Sequence, residues 1–135
     1  MGEYKYDRFR YLAGTGQLNW LGGRFYAQLL TDYTFDATHS SDADFGGAIS
    51  GGVGEVTNRS VTVDGYLKSG PVNISLVPGD SGTPITYSLV LKLATIDGNV
   101  PLAIYEDILI LDETSDIIIK PDGANILGIG SWLQV

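Results

Sequence analysis

The stretch that decides the fold runs from Ile85 to Leu111 and reads ITYSLVLKLATIDGNVPLAIYEDILIL. Alternate residues from Tyr87 to Leu93 are apolar or aromatic, which is the period of a strand with one face in a core. Asp97-Gly98-Asn99 follows as a strong hairpin signal, because tight turns need the backbone freedom of glycine. The stretch therefore predicts two paired antiparallel strands, Tyr87 to Ile96 and Val100 to Leu109.

Short strand-like runs separated by turn signals recur on both sides of this hairpin. Further strands are predicted at Gln17–Leu21, Arg24–Thr31, Glu55–Asn58, Ser60–Leu67, Val72–Val77, Ile117–Lys120 and Ile126–Val135. A spacing of about 8–12 residues between strands is typical of β-sandwiches and barrels. We therefore expect an all-β, single-domain antiparallel β-sandwich with jelly-roll-like connectivity over residues 1–135, preceded by an extended N-terminal arm or first strand at residues 1–15.

The strand faces and tight turns also predict which side chains are buried. The residues expected in the core are Trp20, Leu29, Ile74, Leu89, Leu91, Ile104, Ile118 and Trp132. The Ile-rich run from Ile117 to Ile119 is expected to form an edge that needs covering.

Composition narrows the classes of function. The 135 residues include no cysteine, which excludes a disulfide-stapled scaffold and thiolate chemistry. The formal net charge of −8 argues against general nucleic-acid binding, which needs a basic surface. No secretory leader and no apolar run long enough for a membrane span is recognised, so no membrane partner is expected. Charged residues make up only 18% of the chain, which favours apolar surface that a partner covers.

Motifs for chemistry are weak. His39 is the single histidine and lies three residues after Asp36. One histidine with nearby carboxylates is too small a ligand set to indicate a zinc site, and the spacing is a weak signal for an acid–base pair. Asp42-Ala43-Asp44-Phe45-Gly46 begins like a calcium loop, but Val53 stands where the later Glu belongs. Calcium binding at the acidic turn at 112–116 remains an open alternative. No catalytic residue, metal or cofactor is predicted, and the protein is expected not to be an enzyme.

Two segments are predicted to contact other proteins. Residues 1–24 carry a net charge of +2, from four basic and two acidic residues, on a chain that is otherwise strongly acidic. Residues 36–52 are rich in Ser, Asp and Gly without a strand period, which is typical of a loop that a partner orders. The predicted partner-binding residues are Tyr4, Lys5, Tyr6, Arg8, Phe9, Arg10, Tyr11, His39, Asp42, Asp44 and Phe45.

One stretch resembles a known family. Asn19-Trp20, the strand end Leu29-Leu30-Thr31, and Tyr33-Thr34-x-Asp36 followed by His39 resemble the opening of a family of small structural proteins of tailed-phage virions. The resemblance covers about a quarter of the chain, roughly residues 16–50. It implies a capsid cement or decoration protein, made in the host cytoplasm and located on the capsid surface of the virion.

The implied partners are the major capsid protein, whose neighbouring subunits such a protein bridges, and further copies of the chain as a dimer or trimer. Two alternatives stay open. One is a tail or neck structural protein, and the other is a carbohydrate- or receptor-binding β-sandwich module that stacks sugars on its aromatic residues.

Overall fold

The computed structural model describes residues 2–31, 33–41, 43–45, 49–74, 85–96, 98–111, 117–119 and 132–134. In this part of the chain one helix, α1 (Asp7–Gly14), accompanies ten strands. The strands are β1 (Gly2–Lys5), β2 (Phe25–Leu30), β3 (Ile49–Val56), β4 (Ser60–Val61), β5 (Tyr66–Lys68), β6 (Val72–Ile74), β7 (Ile85–Thr95), β8 (Gly98–Leu111), β9 (Ile117–Ile119) and β10 (Leu133–Gln134).

A five-stranded antiparallel sheet in the order β1-β8-β7-β2-β3 forms the centre of the molecule. A three-stranded sheet, β10-β5-β4, and a two-stranded sheet, β6-β9, accompany it. The expected all-β, sandwich-like fold is confirmed. A jelly roll divides eight strands between two sheets, whereas the described strands are divided five, three and two.

The predicted hairpin is confirmed as the pair β7–β8, with a tighter turn than expected. Thr95 pairs directly with Gly98, whose φ of +122° is open to glycine but strained for other residues. The Thr95 hydroxyl donates a hydrogen bond to the Gly98 carbonyl at 2.6 Å, which closes the turn. Farther along, Leu91 pairs with Ala103 and Lys92 with Pro101, so that β8 holds one extra residue in a bulge.

The main core lies on one face of the five-stranded sheet. Its buried residues are Phe9, Leu12, Trp20, Phe25, Ala27, Leu29, Val56, Leu67, Val72, Ile74, Tyr87, Leu89, Leu91, Leu102, Ala103, Tyr105 and Trp132. They come from the large sheet, from α1 and from the smaller sheets, so the smaller elements cover this face. Burial is confirmed for all of the predicted core residues except Ile118, whose side chain lies outside those described.

The smaller sheets are held against the large one by close backbone contact and by Trp132. A Cβ atom at Gly54 in β3 would lie 2.2 Å from the Asn73 carbonyl oxygen, so only glycine allows this approach of β6. The Trp132 indole donates to the Ser69 hydroxyl at 2.9 Å, and the Tyr105 hydroxyl donates to the Trp132 carbonyl. The strand β9 pairs with β6, which covers one side of the Ile-rich edge predicted at 117–119.

The turn at residues 19–23 is fastened by two side chains. The Trp20 indole donates to the carbonyls of Ser60 and Lys68, each at 3.0 Å, and its ring centroid lies 4.5 Å from that of Phe25. Trp20 therefore anchors this turn. Gln17–Leu21, however, is not a strand as expected, because its backbone is committed to turns that place Trp20.

The guanidinium of Arg59 is the second group that holds this turn in place. It donates to the Trp20 and Val56 carbonyls at 2.6 Å each, to the Leu21 carbonyl at 3.4 Å, and to the Gly23 carbonyl. A planar group with a fixed fork of five N–H donors can satisfy several carbonyls at once. Arg59 therefore ties the start of β2 to the end of β3.

The second face of the five-stranded sheet is also covered. Its buried residues are Tyr6, Leu30, Phe45, Val90 and Ile104, with Tyr33 and Phe35 packed against them. The aromatic residues of segment 33–45 thus form a layer over this face. Sequence reasoning expected residues 36–52 to be a partner-ordered loop; instead β3 begins at Ile49, and the described part of the loop packs on the sheet.

The structure of the N-terminal segment differs from the predicted extended arm. Residues 2–5 form β1, paired with β8 at the edge of the large sheet, and Asp7–Gly14 forms α1 rather than an extension of the strand. Phe9 and Leu12, three residues apart on the helix, are buried against the sheet. No helix in the described part of the chain has the length and apolar character that a membrane crossing requires.

Replacing Leu91 by Ala should lower the free energy of unfolding by about 2–5 kcal/mol, since the side chain is fully buried in the main core. Chemical denaturation gives the measurement. Leu21→Ala is the matched control, because Leu21 is 62% exposed and should cost well under half as much. Equal losses for the two variants would contradict the placement of Leu91 in the core.

Arg59→Lys should destabilise the protein by at least about 2 kcal/mol although it keeps the charge, because an ammonium cannot reach all four carbonyls and some are left without a donor. Arg24→Lys is the control. Arg24 is 70% exposed and pairs with Glu55 at 3.5 Å, so its replacement should change stability by less than about 0.5 kcal/mol. Thermal unfolding in which both variants match wild type would refute this role of Arg59.

Candidate interaction site

The predicted partner-binding residues lie near one another at the β1 edge of the large sheet. Tyr4 and Lys5 belong to β1, and Tyr6 joins that strand to α1. The helix carries Arg8, Phe9, Arg10 and Tyr11, while His39, Asp44 and Phe45 belong to the segment that covers the second face. Asp42 lies outside the described residues.

The N-terminal segment contacts residues 35–37 of the segment that covers the second face. The ring of Tyr4 stacks on Phe35 with centroids 5.0 Å apart, and the ring of Tyr6 lies 4.9 Å from the same phenylalanine. The backbone N–H of Asp7 donates to the Ala37 carbonyl at 2.9 Å. The N-terminal strand and helix therefore help to hold residues 35–37 in place.

Tyr33 is the centre of a polar network inside this contact. Its hydroxyl shares hydrogen bonds with the Tyr6 hydroxyl at 2.9 Å and with His39 Nδ1 at 2.6 Å. Its ring meets Phe45 edge-on, at a centroid separation of 5.1 Å. Burial raises the pKa of the Tyr6 hydroxyl above its usual range, and the bond to Tyr33 acts in the same direction. Both tyrosines thus stay neutral donors and acceptors.

Two carboxylates shape the exposed part of the segment. Asp36 accepts from the backbone N–H of Thr38 at 2.9 Å and from its hydroxyl at 2.7 Å. Asp44 accepts from the N–H groups of Ser40 and Ser41 at 2.8 and 3.1 Å. These hydrogen bonds hold the pKa of both carboxyl groups below its usual range. The acidic residues therefore act as turn-forming groups, as is common for Asp.

Burial removes three residues from the predicted contact surface. Tyr6 is fully buried, and Phe9 and Phe45 are each 3% exposed. Their aromatic rings pack in the two cores and present almost no area to another protein in this conformation.

Five of the predicted residues that are not buried supply the cations and exposed tyrosines of β1 and α1, and we call them the basic strip: Tyr4, Lys5, Arg8, Arg10 and Tyr11. Tyr4 and Tyr11 are 46% and 52% exposed. The Arg8 guanidinium lies over the Tyr11 ring at 5.3 Å, and Arg10 pairs weakly with Asp7 at 3.4 Å, both side chains being more than half exposed. The strip combines cations with accessible aromatic area.

The described residues do not bring together a metal-binding cluster. No group of three or more His, Asp and Glu side chains with metal-binding proximity occurs among them. His39 is held by Tyr33 rather than by a serine or a carboxylate. The described residues at the β1 edge present charged groups, hydrogen-bonding groups and aromatic rings.

Sequence reasoning missed Tyr33 and Phe35, which hold the two segments together. The signal was present, because aromatic residues in a Ser/Asp-rich loop need an apolar surface to cover. Arg59 was missed as well, and a lone arginine in a turn gives no pattern that would single it out.

Tyr6→Phe should reduce the loss of stability at alkaline pH. An unfolded tyrosine ionises near pH 10, while burial holds the native Tyr6 proton, so stability is full below about pH 10 and falls as the pH rises above it. Phenylalanine has no proton to lose, so the free energy of unfolding should fall less between about pH 9 and about pH 11. Urea denaturation across this range is the measurement, with exposed Tyr11→Phe as the control. An unchanged pH dependence in Tyr6→Phe would overturn the assignment.

Comparison with protein-family models, with curated protein sequences and with solved structures finds no match to this chain.

Proposed function

We propose that this chain is a non-enzymatic virion structural protein that cements or decorates a phage capsid by bridging subunits of the major capsid protein. The observation that carries the proposal is the basic strip, a patch of cations and exposed tyrosines on a chain whose net charge is −8. The virion setting comes from the sequence resemblance at residues 16–50, and the strip supplies the attachment surface.

The strip has the composition of an interface. Arg and Tyr are favoured as anchors because they bury a large area while keeping directional polar groups. Arg8 forms no ion pair and donates no hydrogen bond within the described residues, so its charge is open to a partner. Stacking on Tyr11 restrains the guanidinium, which lowers the entropy that binding would cost.

A small surface suffices on a capsid. The strip has only about five residues, which is less than a stable interface between two free proteins needs. On a capsid, however, many equivalent sites and a bridge between two subunits raise the effective concentration for the second contact. Modest individual contacts therefore support high occupancy in a cement protein.

Association of the chain with itself, as a dimer or trimer, belongs to the same proposal. The strand β1 lies at an edge of the large sheet, which could in principle add a strand from a second copy. It is only four residues long and includes Glu3 and Lys5, features that oppose sheet extension. Self-association is therefore expected through side chains rather than through a continuous sheet.

Arg8→Gln should weaken capsid binding about tenfold or more, the effect of losing an interface anchor. The measurement is sedimentation of the protein with empty, expanded capsids that lack it, followed by quantification of the bound chain. Arg24→Gln is the matched control, since Arg24 lies toward the opposite edge of the sheet beside Glu55. Wild-type binding should weaken as salt is added, and Arg8→Gln should show a smaller salt dependence.

Equal occupancy by Arg8→Gln, Arg24→Gln and wild type would refute attachment through the strip. Absence of wild-type binding to capsids would refute the cement function itself. Binding to tails or necks instead would support the structural alternative, and a glycan-array signal that depends on Tyr4 or Tyr11 would support a carbohydrate-binding module.

A further inference from the structure

A polar pocket opens beside the basic strip. It has a volume of about 410 Å³ and is bounded by three parts of the chain: Arg8 from α1, Ser40 and Ser41 from the loop, and the tip of the β7–β8 hairpin. The hairpin contributes Thr95, Gly98, Asn99 and Val100. The pocket thus exists because the helix, the loop and the hairpin tip meet at one end of the sheet.

The pocket presents hydrogen-bond donors. The Arg8 guanidinium lies 5.3 Å from the centroid of the Tyr11 ring and donates no hydrogen bond within the described residues, so its N–H groups are available. The hydroxyls of Ser40 and Ser41 form no hydrogen bond within the described residues, because only their backbone N–H groups are used by Asp44. One full positive charge and two hydroxyl donors therefore line the same space.

These donors are held in place without a ligand. The carboxylate of Asp44 fixes the backbone of Ser40 and Ser41 through bonds of 2.8 and 3.1 Å. The Thr95 hydroxyl is committed to the Gly98 carbonyl at 2.6 Å, which fixes the hairpin tip. A site whose groups are fixed beforehand loses less conformational entropy on binding.

We propose that this pocket receives a carboxylate side chain, Asp or Glu, from the protein partner. A guanidinium binds a carboxylate through two parallel N–H···O bonds, and no hydrogen bond within the described residues occupies the N–H groups of the Arg8 guanidinium. The volume admits such a side chain with room for water. This inference rests on the proposed function, since it names the chemistry that the strip recognises on the capsid.

Charge in the surroundings selects a carboxylate over a phosphate. The Asp44 carboxylate lies directly behind the two serines, and the whole chain carries −8. The Asp44 carboxylate would repel a phosphate, which carries more negative charge, more strongly than it would repel a singly charged carboxylate. An acidic segment of a protein is therefore favoured over inorganic phosphate or a phosphate monoester.

The test is an NMR titration of the ¹⁵N-labelled full chain with an N-acetylated, C-amidated tetraglutamate peptide. Saturable shifts are expected for the amides of Arg8, Ser40, Ser41, Gly98 and Asn99. Arg8→Gln should abolish them, whereas Arg24→Gln, at the exposed pair with Glu55, should leave them unchanged. Inorganic phosphate, titrated in parallel at equal ionic strength, should bind more weakly than the peptide.

Absence of saturable shifts at the pocket, or shifts that persist in Arg8→Gln, would overturn the proposal. Tighter binding of phosphate than of the peptide would overturn the assignment to a carboxylate. Spectral dispersion like that of wild type shows that each variant is folded.

A second variant separates this inference from the proposed function. The double change Ser40→Ala and Ser41→Ala removes the two hydroxyls but leaves the basic strip intact, and it should weaken peptide and capsid binding at least threefold. If wild type binds capsids, and the double variant binds the peptide and the capsids as tightly as wild type does, the pocket is refuted and the cement function stands. If wild type binds no capsid, the cement function is refuted, and the peptide titration still decides whether the pocket takes carboxylates.

Discussion

The requirement to cover both faces of one sheet governs the rest of this structure. In β7, Leu89 and Leu91 face the main core while Val90 between them faces the other side, and all three are fully buried. Burial of apolar area is the main favourable term in folding, so neither face can be left to water. One layer comes from α1 and the smaller sheets, and the second comes from the segment around Tyr33, Phe35 and Phe45.

The way the second layer is built explains why the N-terminal segment and the loop are found together. A loop with only one short helical turn, at residues 43–45, cannot satisfy all its backbone groups internally. Asp36 and Asp44 therefore form turns in it, and Tyr6 and Asp7 anchor it. Residues that look like an unoccupied interface in the sequence are thereby used inside the protein. What stays outside is the opposite side of α1, and that side carries the cations.

The strands could be predicted from the sequence where a single hydrophobic period or a clear turn signal dominated. The hairpin β7–β8 and strand β2 have clear alternation or a strong turn signal, and both were placed within a few residues. The helix α1 was missed because its apolar residues, Phe9 and Tyr11 among them, are aromatic and favour strands by composition. The spacing of Phe9 and Leu12 carried the helical signal, but Tyr4 and Tyr6 just before it alternate and suggested that the strand continued.

The candidate site was predictable only in outline, for a related reason. Sequence alone indicated which segments carry the cations and aromatics, but it could not divide them between the interior and the surface. Tyr6 and Tyr11 are the same residue type in the same short segment, and one is buried while the other is half exposed. That division depends on where the loop packs, which is a long-range contact with Phe35.

Charge is distributed unevenly along the chain, and this distribution bears on recognition. Since the body of the protein is acidic, contact with an acidic neighbour would be repulsive except where cations concentrate. Screening limits these interactions to about 8–10 Å at moderate salt, so only the few charges nearest the contact decide its orientation. Arg8 belongs both to the basic strip and to the pocket beneath the hairpin tip, and it is therefore the residue through which long-range attraction and short-range hydrogen bonding would act together.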